Sequence, residues 1–392
     1  MRSLLLALGL TALALGAASV QARADEPPAQ SPVQSAVQSP DPSPVLPPSL
    51  DDAISRDSTG DPVEGRSTTD ATMARALRSA VLEDWDSALD YAQTAAAGGE
   101  PAGALLAGHI LLHGLSERGQ DDEAAVRWLR RAGEAGDADA LVILSRLASS
   151  NRGGLNAFQA EDFLARAAET GDARAAQEFG LYLMDRSDPS ASGAVLDWLR
   201  LAAESGRVSA YSDYAYALGE WVHGPQDLSA MRAWYERAGE NGEAHGALMA
   251  AAMHLGGEGE GADPARGISL MRIAAELGQP AAMGQLALLY FQGGPDLAAN
   301  PSRAADWARR GAEGGDAESQ FLYAYALATG DGTTRDLERA YVWVLRAGFD
   351  RPGSLIDDPD RDRLEAALET ALPPARRDAL QVEAIAGAGL GG

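Results

Sequence analysis

Two residue types are absent from this 392-residue chain: it contains no cysteine and no lysine, so all 32 of its basic residues are arginine. Without cysteine there is no disulfide, no thiol nucleophile and no thiolate zinc site. Without lysine there is no P-loop lysine for phosphate, no Schiff base and no Ser-x-x-Lys acylation site. These absences exclude several large enzyme classes and imply that the fold is stabilised by packing.

Positive charge is also scarce, because the 32 arginines are outnumbered by 57 Asp and Glu, giving a net charge of −25. Such an excess of acid argues against nucleic-acid binding, which requires a cationic surface. It favours solubility and a basic or polyvalent-cation partner. We find no Gly-x-Ser-x-Gly elbow, no His-Glu-x-x-His motif and no dinucleotide-binding loop. We therefore expect no catalytic residues, no metal, no cofactor and no enzymatic activity.

The chain begins with features of a secretory signal peptide over residues 1–24. Arg2 supplies the charged start, an apolar run extends from Leu4 to Val20, and Ala22-Arg23-Ala24 has the small-x-small pattern of a cleavage site. Cleavage there would leave 30 Arg against 57 acidic residues, a net charge of −27. The apolar run is short for a membrane span and no second run follows. We expect a periplasmic or secreted protein that is not embedded in the membrane.

Residues 25–70 are rich in Pro, Ser, Gln and Asp and poor in apolar side chains. Such a composition cannot bury enough apolar surface to offset the entropy of ordering the chain. This segment is therefore predicted to be a disordered linker.

A short pattern recurs from Ala71 onward and ends each time at a glycine that follows small residues. These anchor positions, with Arg at the last one, are 35 to 37 residues apart: Gly99, Gly136, Gly171, Gly206, Gly242, Gly278, Gly315 and Arg351. Self-similarity at this period is typical of a helical repeat array. An array is one elongated unit, so it replaces the two or three domains that length alone suggests.

Side-chain size follows the same period. The positions three and four residues before the eight anchors, sixteen in total, are all Ala or Gly. Eight residues before it a large ring recurs, with Leu270 as the exception: Tyr91, Trp128, Phe163, Trp198, Trp234, Trp307 and Trp343. Helices approach to about 8 Å only where the side chains at their crossing are small. The pattern predicts closely packed antiparallel helix pairs, each with one bulky side chain.

The anchors also predict how the helices are joined. A glycine there can adopt the left-handed turn that ends a helix. Asp137, Asp172 and Asp316, each directly after its glycine, can cap the next helix. The sequence thus predicts pairs at 71–82 and 86–97, 101–113 and 121–134, 138–149 and 157–169, 173–185 and 190–204, 208–220 and 227–240, 244–255 and 264–276, 280–291 and 300–313, 317–328 and 336–349.

The predicted architecture is therefore an all-α solenoid of about eight antiparallel helix pairs over residues 71–350. Residues 351–392 depart from the repeat and are predicted to form a C-terminal helical cap followed by a flexible tail. Two atypical helices, at Leu364 to Leu372 and after Pro373-Pro374, would cover the open end of the array, as terminal repeats must.

The motif Gly330-x-Gly332-x3-Asp336-x3-Ala340-x2-Trp343-x3-Ala347-Gly348, with Leu286-Ala287-x2-Tyr290-x2-Gly293 one unit earlier, resembles the Sel-one-like repeat family, relatives of the tetratricopeptide repeats. The resemblance covers roughly residues 71–350. It implies a right-handed α/α superhelix used as a protein-interaction scaffold, often in bacterial envelopes and including regulators of sensor kinases and of exopolysaccharide assembly. Some cysteine-rich members are linked with penicillin binding and hydrolysis, and their paired cysteines are absent here.

Two patterns resemble metal sites, and we interpret neither as one. His109 and His113 lie four residues apart on one helix, but Glu117 follows the helix-ending Gly114, so they are interpreted as surface histidines. Asp358-x-Asp360-x-Asp362 with Glu369 imitates a calcium loop, but Arg363 stands where the loop needs glycine. These acids are therefore interpreted as a helix start.

A candidate partner-binding surface follows from helical geometry. Ten residues after each anchor, the side chain points away from the small residues, toward the concave face of such a superhelix. Aromatic and Arg side chains at that position, with ring neighbours at positions 6 and 13, are the candidate residues: His109, Arg146, Tyr216, Phe291, Phe321 and Tyr325. Two interpretations remain open, namely binding of a partner and packing between repeats.

We hypothesise that the protein is a non-enzymatic scaffold or adaptor in the bacterial periplasm that binds a protein or peptide partner of the envelope. Regulation of envelope signalling or of polysaccharide and cell-wall machinery is the role that the resemblance implies. The alternative is a cell-wall glycan-binding protein or hydrolase, in which the same aromatic residues stack on sugars.

Overall fold

The structure is a computed structural model that describes Leu50 and residues 68–186, 188–221, 226–294, 297–349, 355 and 358–387. The predicted signal peptide, most of the predicted linker and residues 388–392 of the predicted tail lie outside the described residues. Two parts of the 25–70 segment are described. Leu50 is fully buried, and the first helix begins at Thr68 rather than at Ala71.

The described residues form α-helices and contain no β-strand, apart from one isolated bridge between Gly294 and Leu297. They divide into two compact units, with the boundary between Asp213 and Tyr214. The N-terminal unit contains α1 (Thr68–Val81), α2 (Trp85–Ala97), α3 (Pro101–His113), α4 (Asp122–Glu134), α5 (Ala138–Ser149), α6 (Ala160–Glu169), α7 (Ala173–Asp185), α8 (Ser192–Glu204) and the start of α9 (Ser209–Tyr216).

The C-terminal unit begins within α9, which is followed by a π-helical turn at Ala217–Trp221. Its further helices are α10 (Leu228–Glu240), α11 (Ala244–Gly256), α12 (Pro264–Glu276), α13 (Pro280–Gln292), α14 (Pro301–Glu313), α15 (Ala317–Thr329), α16 (Leu337–Ala347), α17 (Pro359–Ala371) and α18 (Pro374–Gly387). Consecutive helices pack against each other in each unit, so the all-α prediction of stacked helix pairs is confirmed. The predicted bounds of the helix pairs agree to within about three residues, except at the end of α9. In the C-terminal cap, α17 begins at Pro359 rather than at the predicted Leu364.

The turns between pairs have the predicted chemistry. All seven glycine anchors have positive φ, between +85° at Gly171 and +96° at Gly99, a conformation that a side chain disfavours. The three predicted caps are present. Asp137, Asp172 and Asp316 each accept a hydrogen bond of 2.7 to 2.8 Å from the backbone N–H of the residue three positions later in the chain. These three connections thus end one helix and start the next through local contacts, whereas Glu100, Glu243 and Gln279 provide no side-chain cap at the equivalent place.

The small residues before the anchors lie in the contacts between helices. Ala167, Ala168, Ala202 and Ala203 are all fully buried. Gly239 shows how close the approach is, because a Cβ there would lie 2.7 Å from the Cα of Ala247 on the next helix. The predicted seam of small side chains is confirmed.

The large rings eight residues before the anchors are mostly half-buried rather than part of the core. Trp234 and Trp343 each contact a tyrosine of the preceding helix, with centroids 5.4 Å from Tyr214 and 5.9 Å from Tyr323. Each tryptophan is also within cation–π distance of the arginine three residues later. The guanidinium of Arg346, for example, lies 4.8 Å from the ring centroid of Trp343. Ring and guanidinium thus cover the exposed side of the pair.

Helices α17 and α18 cover the last repeat, as predicted. Leu368, Leu372 and Leu380 join the core cluster that contains Tyr341 and Val344 of α16. Asp358 caps α17 by accepting hydrogen bonds of 2.9 Å from the backbone N–H groups of Asp360 and Arg361, which confirms the helix-start interpretation of this acidic segment. Arg376 of α18 holds both oxygens of Glu338, at 2.8 and 2.7 Å.

Candidate partner-binding face

In the C-terminal unit, the first helices of two neighbouring repeats, α13 and α15, contact each other through two side-chain pairs. Gln285 Nε2 donates a 3.0 Å hydrogen bond to Glu318 Oε2. About two turns further along both helices, the rings of Phe291 and Tyr325 meet edge to face, with centroids 6.5 Å apart and an interplanar angle of 89°. The contacts occur in the same order on both helices, so the helices run parallel. We call the surface formed by these four residues the α13–α15 face.

The close approach of the two helices depends on a glycine. A Cβ at Gly284 would lie 2.6 Å from Ser319 Oγ and 2.7 Å from Asp316 Oδ2, at the N-terminus of α15. Because Gly284 has no side chain, the first turn of α15 can pack on α13. This packing brings Glu318 within reach of Gln285.

The carboxyl of Glu318 has a strongly raised pKa. Burial, together with the nearby charges of Asp316 and Asp358, raises the pKa of its carboxyl to about 7, although the hydrogen bond from Gln285 acts in the opposite direction. Near neutral pH this carboxyl is therefore protonated in a large fraction of molecules. A neutral carboxyl next to an amide can both donate and accept hydrogen bonds.

Tyr325 adds a second polar group to the same surface. The residue is half-buried, and burial, followed by the charge of Asp331, raises the pKa of its phenol. The hydroxyl therefore stays protonated and can donate a hydrogen bond. The α13–α15 face combines two partly exposed rings with a phenol, an amide and a carboxyl.

In the N-terminal unit, the corresponding first helices α5 and α7 are joined by ion pairs. Arg146 on α5 contacts Glu178 on α7 at 3.1 Å, with side chains 46% and 27% exposed. Arg174 pairs with Asp139, whose side chain is 8% exposed. Most of the charge on this surface is therefore already neutralised within the fold.

Further along α7, Gln177 is buried among polar groups of the next first helix. Its Nε2 donates to Asp213 Oδ2 at 2.5 Å and its Oε1 accepts from Ser209 Oγ at 3.0 Å. Arg207 contacts the same amide oxygen. Burial raises the pKa of Asp213. The contact between these two repeats is therefore polar.

The six residues predicted to bind a partner lie in different environments. His109 and Arg146 belong to the N-terminal unit, and the other four belong to the C-terminal unit. Their exposure also differs: His109 and Phe321 are buried at 2% and 6%, Arg146 is exposed, and Tyr216, Phe291 and Tyr325 are half-buried. The structure brings Phe291 and Tyr325 into contact. For His109 and Phe321, the burial supports the packing interpretation.

The interpretation of His109 as a surface histidine is wrong. Every residue of α3 from Gly103 to Leu112 is buried, because this helix is apolar on all sides and is enclosed by its surroundings. His109 and His113 have ring centroids 4.5 Å apart. Helical direction alone could not reveal this, since it gives the orientation of a side chain and not what covers it.

The sequence did not reveal Gln285 and Glu318 as neighbours. They lie seven and three residues after their anchors, and Glu178 and Arg174 occupy the same two places in the α7 repeat. A search for polar residues at these two positions in successive repeats would have found them. Within the described ranges, no group of three or more His, Asp and Glu side chains is arranged to hold a metal ion. None of the described helices is both long and apolar enough to span a membrane.

Comparisons with known proteins agree with this architecture. The Sel1 repeat model matches the chain at residues 101–137, 209–243, 244–279, 280–316 and 317–348. The protein therefore carries Sel1 repeats, which confirms the resemblance drawn from the sequence. Sel1 repeat proteins are protein-interaction scaffolds.

Two solved structures align with most of the chain. A Sel1 repeat protein from Oxalobacter formigenes shares 20% identity and a TM-score of 0.59, over 88% of this chain and 95% of its own. The protective antigen c5321 of uropathogenic Escherichia coli, described as displaying an SLR fold, shares 18% identity and a TM-score of 0.34, over 81% and 84%. No curated protein matches the sequence. The first similarity supports the solenoid of helix pairs.

Proposed function

We propose that the protein is a non-enzymatic adaptor of the bacterial periplasm that binds a peptide or domain of an envelope partner through the α13–α15 face. The observation that carries the proposal is the contact of Phe291 with Tyr325, two rings that remain partly exposed on a rigid pair of helices. Rings held in this way bury a large area on binding and lose little conformational freedom.

The polar groups on the same face as the rings suit a peptide. An extended backbone presents alternating donors and acceptors, and Gln285, Glu318 and the Tyr325 hydroxyl can satisfy both kinds. The rings would take an apolar side chain of the partner. The net charge of −25 favours a partner whose flanking residues are basic.

The test is recovery of envelope proteins by the purified protein and by its Phe291→Ala and Tyr325→Ala variants. The control is Tyr91→Ala, which removes a ring of 36% exposure from another position. We expect the loss of a ring from the α13–α15 face to reduce recovery of a specific partner at least ten-fold, with the control unchanged. Equal recovery by all variants would remove these residues from the site.

The periplasmic location is supported by the features of residues 1–24 and is tested separately. Mass spectrometry of the protein isolated from cells should give an N-terminus at Asp25. A protein that retains Met1 and is recovered with the cytoplasm would contradict this part of the proposal.

Glu318 favours one alternative, a glycan-binding protein or hydrolase of the cell wall. A carboxyl whose pKa is raised to about 7 is suited to act as a general acid, and nearby rings can stack on sugars. Incubation with peptidoglycan decides between the two functions. Turnover that disappears in Glu318→Gln would replace the adaptor with an enzyme, and an absence of turnover would support the adaptor.

A further inference from the structure

Phe158 is the most exposed large apolar side chain of the described residues, at 97% exposure. It lies in the short 3-10 turn Ala157–Gln159 that precedes α6. Single exposed apolar residues are common on protein surfaces and need no explanation by themselves. For Phe158, the equivalent positions in the other repeats of the chain show which residue types are usual at this place.

The turn starts at Asn156, and Phe158 is the second residue after this cap. Every other repeat has an Asp or Asn cap at the start of its second helix, and the second residue after it is small or polar. These equivalents of Phe158 are Asp86, Glu123, Ser190, Ser229, Ala265, Ser302 and Glu338. Acidic residues there interact favourably with the helix N-terminus, which phenylalanine cannot do. Phe158 thus contributes nothing evident to its own fold.

The backbone that carries Phe158 is held by several side chains. Asn156 Oδ1 accepts from the N–H of Phe158 at 3.1 Å, and Gln159 Oε1 accepts from the N–H of Asn156 at 3.1 Å, so the capping box is complete. Asn151 Oδ1 accepts from the N–H of Ala157 at 3.3 Å. The ring therefore projects into solvent from a fixed turn.

The rest of this connection is anchored to α4. Arg152 holds both oxygens of Asp122, at 2.9 and 3.0 Å, and Leu155 is buried at 5% exposure. Gly153 has a φ of +60°, and a Cβ there would lie 2.6 Å from Val126. An exposed ring on a backbone with so little freedom loses little entropy when it is bound.

The charge of the N-terminal unit indicates which kind of partner can contact Phe158. Residues 68–213 of the N-terminal unit contain 23 acidic residues and 13 arginines, a net charge of −10. A second copy of this chain and an anionic lipid surface would both be repelled. A different protein, with an apolar pocket and basic residues around it, has the complementary chemistry. We infer that Phe158 is an anchor residue that inserts into such a pocket of a partner protein.

This site lies in the N-terminal unit, apart from the α13–α15 face, and residues 138–208 are outside the Sel1 repeat matches. The inference therefore goes beyond the proposed function. The assays below give the same answer whether or not the α13–α15 face binds a partner, so failure of one does not imply failure of the other.

The first assay places the photo-crosslinking residue p-benzoylphenylalanine at position 158 of the full chain in its native cells. The matched control places it at Ser190, the equivalent position of the next repeat. We expect one specific adduct with a different protein from position 158 and none from Ser190. An adduct of the chain with itself, an adduct with lipid, or no adduct at position 158 would overturn the inference.

The second assay measures affinity, with the crosslinked protein purified and titrated against the full chain. Phe158→Ser, which installs the residue found in three other repeats, should weaken binding at least ten-fold, whereas Phe158→Leu should keep it within a few-fold. Ser302→Ala, a change at the equivalent position elsewhere, should have no effect. Because Phe158 is 97% exposed, thermal midpoints should be unchanged. Equal affinity of Phe158→Ser and the parent chain would overturn the inference.

Discussion

At the scale of single residues, the raised pKa of Glu318 predicts how the free energy of unfolding depends on pH. Its pKa is raised by burial to about 7 in the folded chain, whereas an unfolded Glu has a pKa of about 4.3. The folded state therefore binds the proton more tightly, and the free energy of unfolding falls as the pH rises from the lower value through the upper one. Glu318→Gln should abolish this dependence. Because Glu318 is partly exposed, we expect the variant to exceed the parent by about 1–2 kcal/mol at pH 8 and to equal it near pH 4, below the pKa of the unfolded side chain.

Urea unfolding at the two pH values measures this difference. Glu313→Gln is the matched control, because Glu313 is 55% exposed and pairs only with Arg309 on its own helix among the described residues. The control should follow the parent chain at both pH values. An unchanged pH dependence in Glu318→Gln would show that its carboxyl is ionised in the folded state.

The residues that the sequence predicted correctly are those whose role is local. Gly171 must adopt positive φ and Asp172 must cap the next helix whatever surrounds them, so spacing alone identified both. The environments of His109 and Glu318 depend on other helices. The burial of both side chains and the raised pKa of Glu318 could not be predicted from one helix, because Glu318 interacts with Gln285 and Asp358, which are 33 and 40 residues away in sequence.

At the scale of helices, two glycines at the same place in the repeat are predicted to respond differently to substitution by alanine. A Cβ at Gly239 would lie 2.7 Å from the Cα of Ala247, whereas one at Gly133 would lie 2.7 Å from a methyl carbon of Leu141. Backbone cannot move aside, but a leucine side chain can rotate. Gly239→Ala should therefore cost on the order of 1–3 kcal/mol by overpacking. Gly133→Ala should be near neutral, since alanine favours the helix by up to about 1 kcal/mol.

Chemical denaturation of the two variants tests this pair, and each serves as the control for the other. Equal effects of the two substitutions would mean that α10 and α11 can separate as easily as Leu141 can rotate. The seam of small residues would then not determine how closely the helices approach.

The sequence predicted most helix bounds because glycine and Asp or Asn mark nearly every end. It failed at the end of α9, which was predicted to reach residue 220 but ends at Tyr216 and continues as a π-helical turn. A π turn leaves the local apolar pattern unchanged, so periodicity does not reveal it. The turn packs closely on α10, since a Cβ at Gly219 would lie 2.0 Å from Met231 Sδ.

At the scale of the whole molecule, the sequence predicted one continuous array, and the structure divides it between Asp213 and Tyr214. The anchors Gly206 and Gly242 on either side of this point are 36 residues apart, like their neighbours. The repeat pattern records how each helix pair is built, which is the same throughout. It does not record where one compact unit ends and the next begins, because the anchors continue at the same spacing across this point.

The last prediction concerns the cap formed by α17 and α18. A chain that ends at Phe349 loses Leu368, Leu372 and Leu380 and exposes Tyr341 and Val344, both fully buried in the intact protein. Full burial of one such leucine contributes about 1.5–3 kcal/mol, so the loss should amount to several kcal/mol. Repeats interact only with their neighbours, so the loss should be confined to the C-terminal unit.

Hydrogen exchange of the truncated chain measures where the loss occurs. Amides of α15 and α16 should lose most of their protection, whereas those of α3 and α4 in the N-terminal unit should exchange as in the full chain. Arg376→Ala in the full chain is the control, because it removes only the exposed ion pair with Glu338 and should leave the protection of both units nearly unchanged. A uniform loss of protection over both units would mean that the chain unfolds as a single cooperative body. The nearest-neighbour description of this array would then be wrong, because unfolding of the last repeat would require unfolding of the first.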